Sequence, residues 1–163
     1  MQIIKNRQII KDQWQHVADD ADISQLPVGD IIVPLTLWQA HKTGLLQRRG
    51  QLGIRLNGDN DVAEIATDLQ HFAVIALQFP AFRDGRAYSM ARALRQHFGY
   101  SGELRAVGNV LRDQAGYMAR VGFDAFEIDP KQKIEDALSA FSEISVRYQA
   151  SSDEPLPIYR RRA

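Results

Sequence analysis

Apolar positions along this chain follow two alternating rhythms, one of strands and one of helices. Ile31–Leu35 is a short continuous apolar run, the pattern of a strand buried on both faces. Thr36 and Gln39 have capping-box spacing, which predicts a helix from about Leu37 to Arg49, closed by Gly50. Leu52, Ile54 and Leu56 alternate as a second strand. Asp61 and Glu64 repeat the cap spacing ahead of a helical stripe of Val62, Ile65, Ala66 and Leu69. Val74–Phe79 is the third strand, followed by a helix with Ala87, Met90, Ala91, Leu94 and Phe98 on one face. Leu104–Val107 is the fourth. Asn109 is placed to cap a helix carrying Leu111, Ala115 and Met118, which Gly122 ends. Asp124–Ile128 is the fifth strand. Asp129-Pro130 then reads as the start of a long helix with a stripe of Ile134, Leu138, Phe141, Ile144 or Ser145, and Tyr148.

Five strand–helix units predict an α/β fold: a mostly parallel sheet of about five strands alternating with helices, as an open sheet or partial barrel. A full eightfold barrel needs about 250 residues, and this chain has 163. Ile3-Ile4 and Ile9-Ile10 flank Lys5-Asn6-Arg7-Gln8, the pattern of an N-terminal β-hairpin that extends one sheet edge. Residues 1–150 form one expected α/β domain. Residues 151–163, with two prolines and Arg160-Arg161-Arg162, are expected to be a flexible tail or a segment that docks on a partner.

Twenty basic residues balance twenty acidic ones, so no global field favours nucleic acid or an anionic membrane, and a charged ligand must be recognised locally. The absence of cysteine removes thiolate chemistry and iron–sulfur ligation by this chain. The N-terminus does not read as a secretory signal and no apolar run approaches the roughly 20 residues of a membrane helix, so the expected location is the cytoplasm. His16, His41, His71 and His97 lack helical zinc spacing, and no metal site is expected. His41 reads as a packing residue. Trp14 and Trp38 read as core or interface anchors. No glycine-rich phosphate loop or nucleophile elbow is present, so no cofactor is named by motif.

Ligands of parallel α/β folds bind at the carboxyl ends of strands. The longest such loop is Pro80–Arg86, where Arg83, Asp84, Gly85 and Arg86 precede a helix N-terminus that itself favours anions. Asn109, Arg112, Asp113 and Gln114 follow the next strand and adjoin the first loop if strands pair in chain order. Arg105 lies within that strand. Together these residues form the candidate site for an oxyanion or a phosphorylated cofactor. The bland alternative is an ordinary Asp-Gly turn, a cap, and solvated arginines.

Phe82-Arg83-Asp84-Gly85-Arg86-Ala87-Tyr88-Ser89, the string Gly99–Gly108, Asp113-Gln114 and Gly122–Phe126, with Ile32–Leu35 and Trp38 upstream, resemble one family. It is the proteobacterial domain-of-unknown-function family 934, and the resemblance spans about residues 1 to 148. Members carry an oxidoreductase label tied to sulfite reduction. Their genes tend to lie beside the haemoprotein subunit of sulfite reductase. The resemblance therefore implies an accessory role in assimilatory sulfite reduction and cysteine biosynthesis, with that subunit as partner. It transfers no catalytic residues and leaves open whether the protein is an enzyme. A small enzyme or ligand-binding domain that recognises an oxyanion or phosphorylated cofactor is the alternative. Homo-oligomerisation stays open.

Overall fold

The structure is a computed structural model that describes residues 1–142 and 149–160. Its strands are β1 (Gln2–Lys5), β2 (Gln8–Lys11), β3 (Gln15–His16), β4 (Ile31–Pro34), β5 (Leu52–Leu56), β6 (Val74–Phe79), β7 (Glu103–Gly108) and β8 (Ala125–Phe126). The α-helices are α1 (Leu35–Leu46), α2 (Arg86–Gln96), α3 (Arg112–Val121) and α4 (Ile134–Ser139); Val62–His71 is a 3₁₀ helix. All eight strands join one mixed sheet in the order β2-β1-β8-β7-β6-β5-β4-β3. From β3 to β8 neighbours pair in parallel and in chain order. The hairpin adds two antiparallel ladders.

The expected α/β class and hairpin are present, but the sheet is larger than the five strands expected, and mixed. The five apolar runs became β4 to β8. The hairpin joins them through β1, turning at Asn6 and Arg7 with φ of 49° and 61°, the left-handed pair that suits a two-residue turn. The remaining strand, β3, is two exposed polar residues with no hydrophobic pattern to betray it.

Chain geometry forces the sheet to curl. Eight flat strands set about 4.8 Å apart would separate β2 from β3 by about 34 Å. Only Asp12, Gln13 and Trp14 link those two edges, and that link spans at most about 14 Å. The sheet is therefore a half-barrel, with the Asp12–Trp14 strap running over its concave face. Right-handed crossovers between consecutive parallel strands put the helices on the other face. There Ile31, Val33, Ile54, Ile75, Leu77, Leu104, Ala106 and Phe126 build the main core with the helices.

The concave face has a smaller apolar cluster, Ile32, Val74, Ala76 and Val107, covered by Trp14. Beside it lies a charged one. Arg105, 1% exposed in its side chain, donates to Asp12 (2.9 Å), Glu103 (2.7 Å) and Glu127 (2.9 Å). Lys5 binds the other oxygen of Glu103, and His16 Nε2 lies 2.7 Å from Glu127. Burial works against the guanidinium charge, but the carboxylates outweigh it and raise the Arg105 pKa.

Several helix boundaries differ from expectation. α1 begins at Leu35, directly after Pro34, with no side-chain cap; Gln39 instead donates to Glu64 across to the 3₁₀ helix. α1 ends at Leu46, before the expected Arg49, and His41 is exposed at a kink in it (φ −132°) rather than packed. Phe98 lies beyond the end of α2 and is partly exposed. Asn109 does not cap α3. Its amide donates to Asp129 at 3.4 Å, and Gln114 accepts from the Leu111 amide at 3.3 Å. Asp129-Pro130 forms a turn, with Asp129 accepting from the Lys131 amide, and α4 starts only at Ile134. Asp61 and Glu64 do form the expected reciprocal cap. Expected stripe residues Ile144, Ser145 and Tyr148, and tail residues Arg161 and Arg162, lie outside the described residues. The described segment between them, residues 149–160, docks back on α3: the Ser151 hydroxyl and the Asp153 backbone amide both donate to the Arg120 carbonyl. No helix among the described residues is long and apolar enough to cross a membrane.

Replacing Arg105 with Met should leave three buried carboxylates without their guanidinium. The expected loss is about 3–5 kcal/mol, read as a lowered urea midpoint at pH 7. A loss below about 1 kcal/mol would contradict a central role for this cluster.

Candidate functional site

Parallel pairing brings the two expected loops together. The Gln114 amide donates to the Phe82 carbonyl at 3.3 Å, joining the loop after β6 to the start of α3. The cations of these loops, however, face other groups. Arg86 Nε and Nη2 fork onto Asp84 at 2.9 and 2.6 Å, and Nη1 binds Asp59 from the loop after β5. Arg112 turns toward α4: its Nε donates to the Asp136 carbonyl at 3.0 Å, and its amide to Gln132. Arg83 and Asp113 are exposed. Arg105 sits apart on the concave face. Gly85 has φ −92°, and a Cβ there would meet only the Tyr88 ring at 3.7 Å, so neither backbone nor space demands glycine.

Asp84 is held well below the ordinary carboxylate range. The Arg86 side chain, then the Arg86 amide, hold its carboxyl down to about 2, well below its ordinary 3.8. The same pairing raises the Arg86 pKa.

A second constellation lies at the carboxyl ends of β4, β5 and β6. A cleft of about 180 Å³ is lined by Asp19, Pro34, Leu35, Thr36, Arg55, Asn57, Asn60 and Gln78. Strand alternation aims Arg55 and Gln78 toward it: Arg55 pairs in register with Ala76, and Gln78 is the next residue of β6 on that face. Arg55 Nη2 contacts Asp19 at 2.7 Å; Asp19 is largely exposed and Arg55 largely buried. The loop after β5 folds on its own amides. Asn60 Oδ1 accepts from the Asn57 amide at 2.8 Å, and Asn57 Oδ1 accepts from the Asp59 amide at 2.9 Å. With both oxygens committed, the Nδ2 donors are what each asparagine can offer to the cleft that both residues line. Leu35 and Thr36 open α1, whose first amides lack a side-chain cap. The lining is thus rich in donors, and its one carboxylate, Asp19, already occupies Arg55.

A family model matches residues 53–159. The chain belongs to DUF934. That family is described as "Bacterial protein of unknown function (DUF934)". Comparison with curated proteins returned no match. The DUF934 match takes in Arg55, Asn57, Asn60, Gln78 and Arg86, whereas Asp19, Pro34 and Thr36 precede it.

Sequence reasoning missed the cleft. Two signals stood in the sequence: a lone cation one residue from the end of an apolar strand, and the polar string Asn57-Gly58-Asp59-Asn60 directly after it. Only the sheet order shows that both open on the same side as Gln78 and Thr36.

The Asp84 carboxyl gives a pH test. Its folded pKa is depressed, so its contribution to stability is present above its unfolded value and is lost as pH falls through about 2. Asp84→Asn should therefore be less stable than the wild type at pH 7, with the gap closing between about pH 4 and pH 2. Thermal unfolding across that range checks this; a gap that persists unchanged at pH 2 would contradict it.

Proposed function

We propose that this DUF934 protein binds a small oxyanion in the carboxyl-end cleft. On this reading it serves assimilatory sulfite reduction as an accessory protein to the reductase haemoprotein subunit. The observation that carries the binding reading is the lining itself. Arg55 supplies one fixed charge, and Thr36, Asn57, Asn60 and Gln78 supply neutral donors around it. Sulfite is a pyramidal anion whose three oxygens accept hydrogen bonds, and such a lining matches acceptors on several sides. Charge-assisted hydrogen bonds are the strong members of such a set. The first amides of α1, which no side chain caps, add positive potential at the same end.

Asp19 supports the reading in a second way. Its carboxylate sits on Arg55 from an exposed position, so it holds the place an external oxyanion would take. An ion pair with one partner in solvent adds little to stability, and a ligand with several acceptor oxygens can displace Asp19. The pathway part rests on the resemblance of the motif strings to the family associated with sulfite reductase. The lining offers groups for binding rather than a nucleophile beside a base, so the proposal is one of binding and delivery.

Calorimetric titration with sulfite, sulfate and phosphate tests it. The wild type should bind at least one of them saturably. Arg55→Gln should weaken that binding by roughly 10- to 100-fold, the worth of a charge-assisted hydrogen bond. Asp19→Asn should tighten it several-fold by removing the internal competitor. Retained affinity in folded Arg55→Gln would defeat the cleft. Failure of the wild type to co-elute with the purified haemoprotein subunit, with and without sulfite, would count against the accessory role.

A further inference from the structure

The cleft depends on a loop, and the loop is held from outside. Asn57 and Asn60 flank Gly58 and Asp59, and Asp59 is bound by Nη1 of Arg86, 27 residues further along the chain. The same guanidinium forks onto Asp84, the residue just before the Gly85 that precedes α2. It lies directly over Gly58, where a Cβ would come within 2.5 Å of Arg86 Nε and 2.7 Å of its Cζ. The loop thus lies flat under the guanidinium because Gly58 has no side chain. Asp84 also accepts from the Arg86 amide at 3.2 Å, which fixes the guanidinium relative to α2.

We infer that Arg86 is a positioning residue for the oxyanion cleft: clasped between Asp84 and Asp59 over Gly58, it holds the Asn57–Asn60 loop so that both amides face the ligand. This inference rests on the binding reading above. Ordinarily an exposed ion pair contributes little. Here one arginine is shared by two carboxylates, one of them in a fork, and beyond the small stability of the pair it orients the loop. The inference separates two roles that an arginine near an anion site can play. A cation that touched the anion would act through its own charge. A clasp acts through Asp59, so removing the Asp59 charge must have the same effect as removing Arg86.

The test is a mutant cycle on sulfite affinity with Arg86→Gln, Asp59→Asn and the double variant, with circular dichroism to confirm folding. Hydrogen exchange of the Asp59 and Asn60 amides gives a second readout. The clasp predicts that each single variant weakens sulfite binding about tenfold, that the double variant is no worse, and that all three speed exchange in the loop. If Arg86→Gln binds sulfite as the wild type does, the clasp is wrong. If Arg86→Gln weakens binding while Asp59→Asn leaves it unchanged or tighter, Arg86 contacts the anion itself, and the clasp is again wrong. Should the wild type bind no oxyanion at all, the cleft reading falls. Arg86 is then no positioner for a ligand, whatever the loop exchange shows.

Discussion

The curl of the sheet is the constraint on which the rest of the structure depends. Three residues join strands at opposite edges of an eight-stranded sheet, and only a half-barrel lets them reach. The strap then lies over the concave face, and Arg105 fastens it there through Asp12. The arrangement is costly to disturb in either direction. Arg105 without its carboxylates would be a buried charge alone, and the three carboxylates without Arg105 would keep only their contacts with Lys5 and His16. His16 extends the hold by bringing β3, at the far edge, against Glu127 beyond β8.

Register pairing explains why chemistry collects at one place on this face. Pro34, Arg55, Ala76, Arg105, Ala125 and Lys5 form one row across six neighbouring strands. Cations alternate with small residues, so Arg55 and Arg105 stand about 10 Å apart with Ala76 between them. Their surroundings differ. Arg105 and Lys5 meet carboxylates that are themselves buried, whereas the carboxylate on Arg55 is in solvent. The first two cations are held by buried carboxylates, and Arg55 is the cation of this row whose counter-ion is exposed. The cleft is thus the open end of a polar face that is closed elsewhere.

The strands that carry this face were legible because burial writes a continuous apolar run in β6 and an alternation of apolar residues in β5. β5 and β6 match the expected bounds residue for residue. β3 was not legible, because edge pairing through two polar residues leaves no pattern. Three helix starts misled for local reasons: Pro34 passes straight from strand to α1, Asn109 turns its side-chain amide to Asp129 rather than to α3, and Asp129 accepts from the Lys131 amide in a turn. The two loops expected at the site do adjoin through Gln114 and Phe82. Their charges could not be assigned from spacing, because Arg86 is paired to a residue 27 positions away. Arg55 was hidden for the opposite reason, as a single polar residue in an apolar strand, informative only once its face is known.

Oxyanion binding in the cleft is read out residue by residue in a nuclear magnetic resonance titration of the wild-type protein with sulfite. Side-chain signals of Arg55, Asn57, Asn60 and Gln78, together with the backbone amide of Thr36, would be followed. Binding in the cleft should give saturable shifts concentrated on these five residues, with a common dissociation constant. Shifts centred instead on Arg83, Arg112 and Asp113, or no saturable shift anywhere, would contradict it.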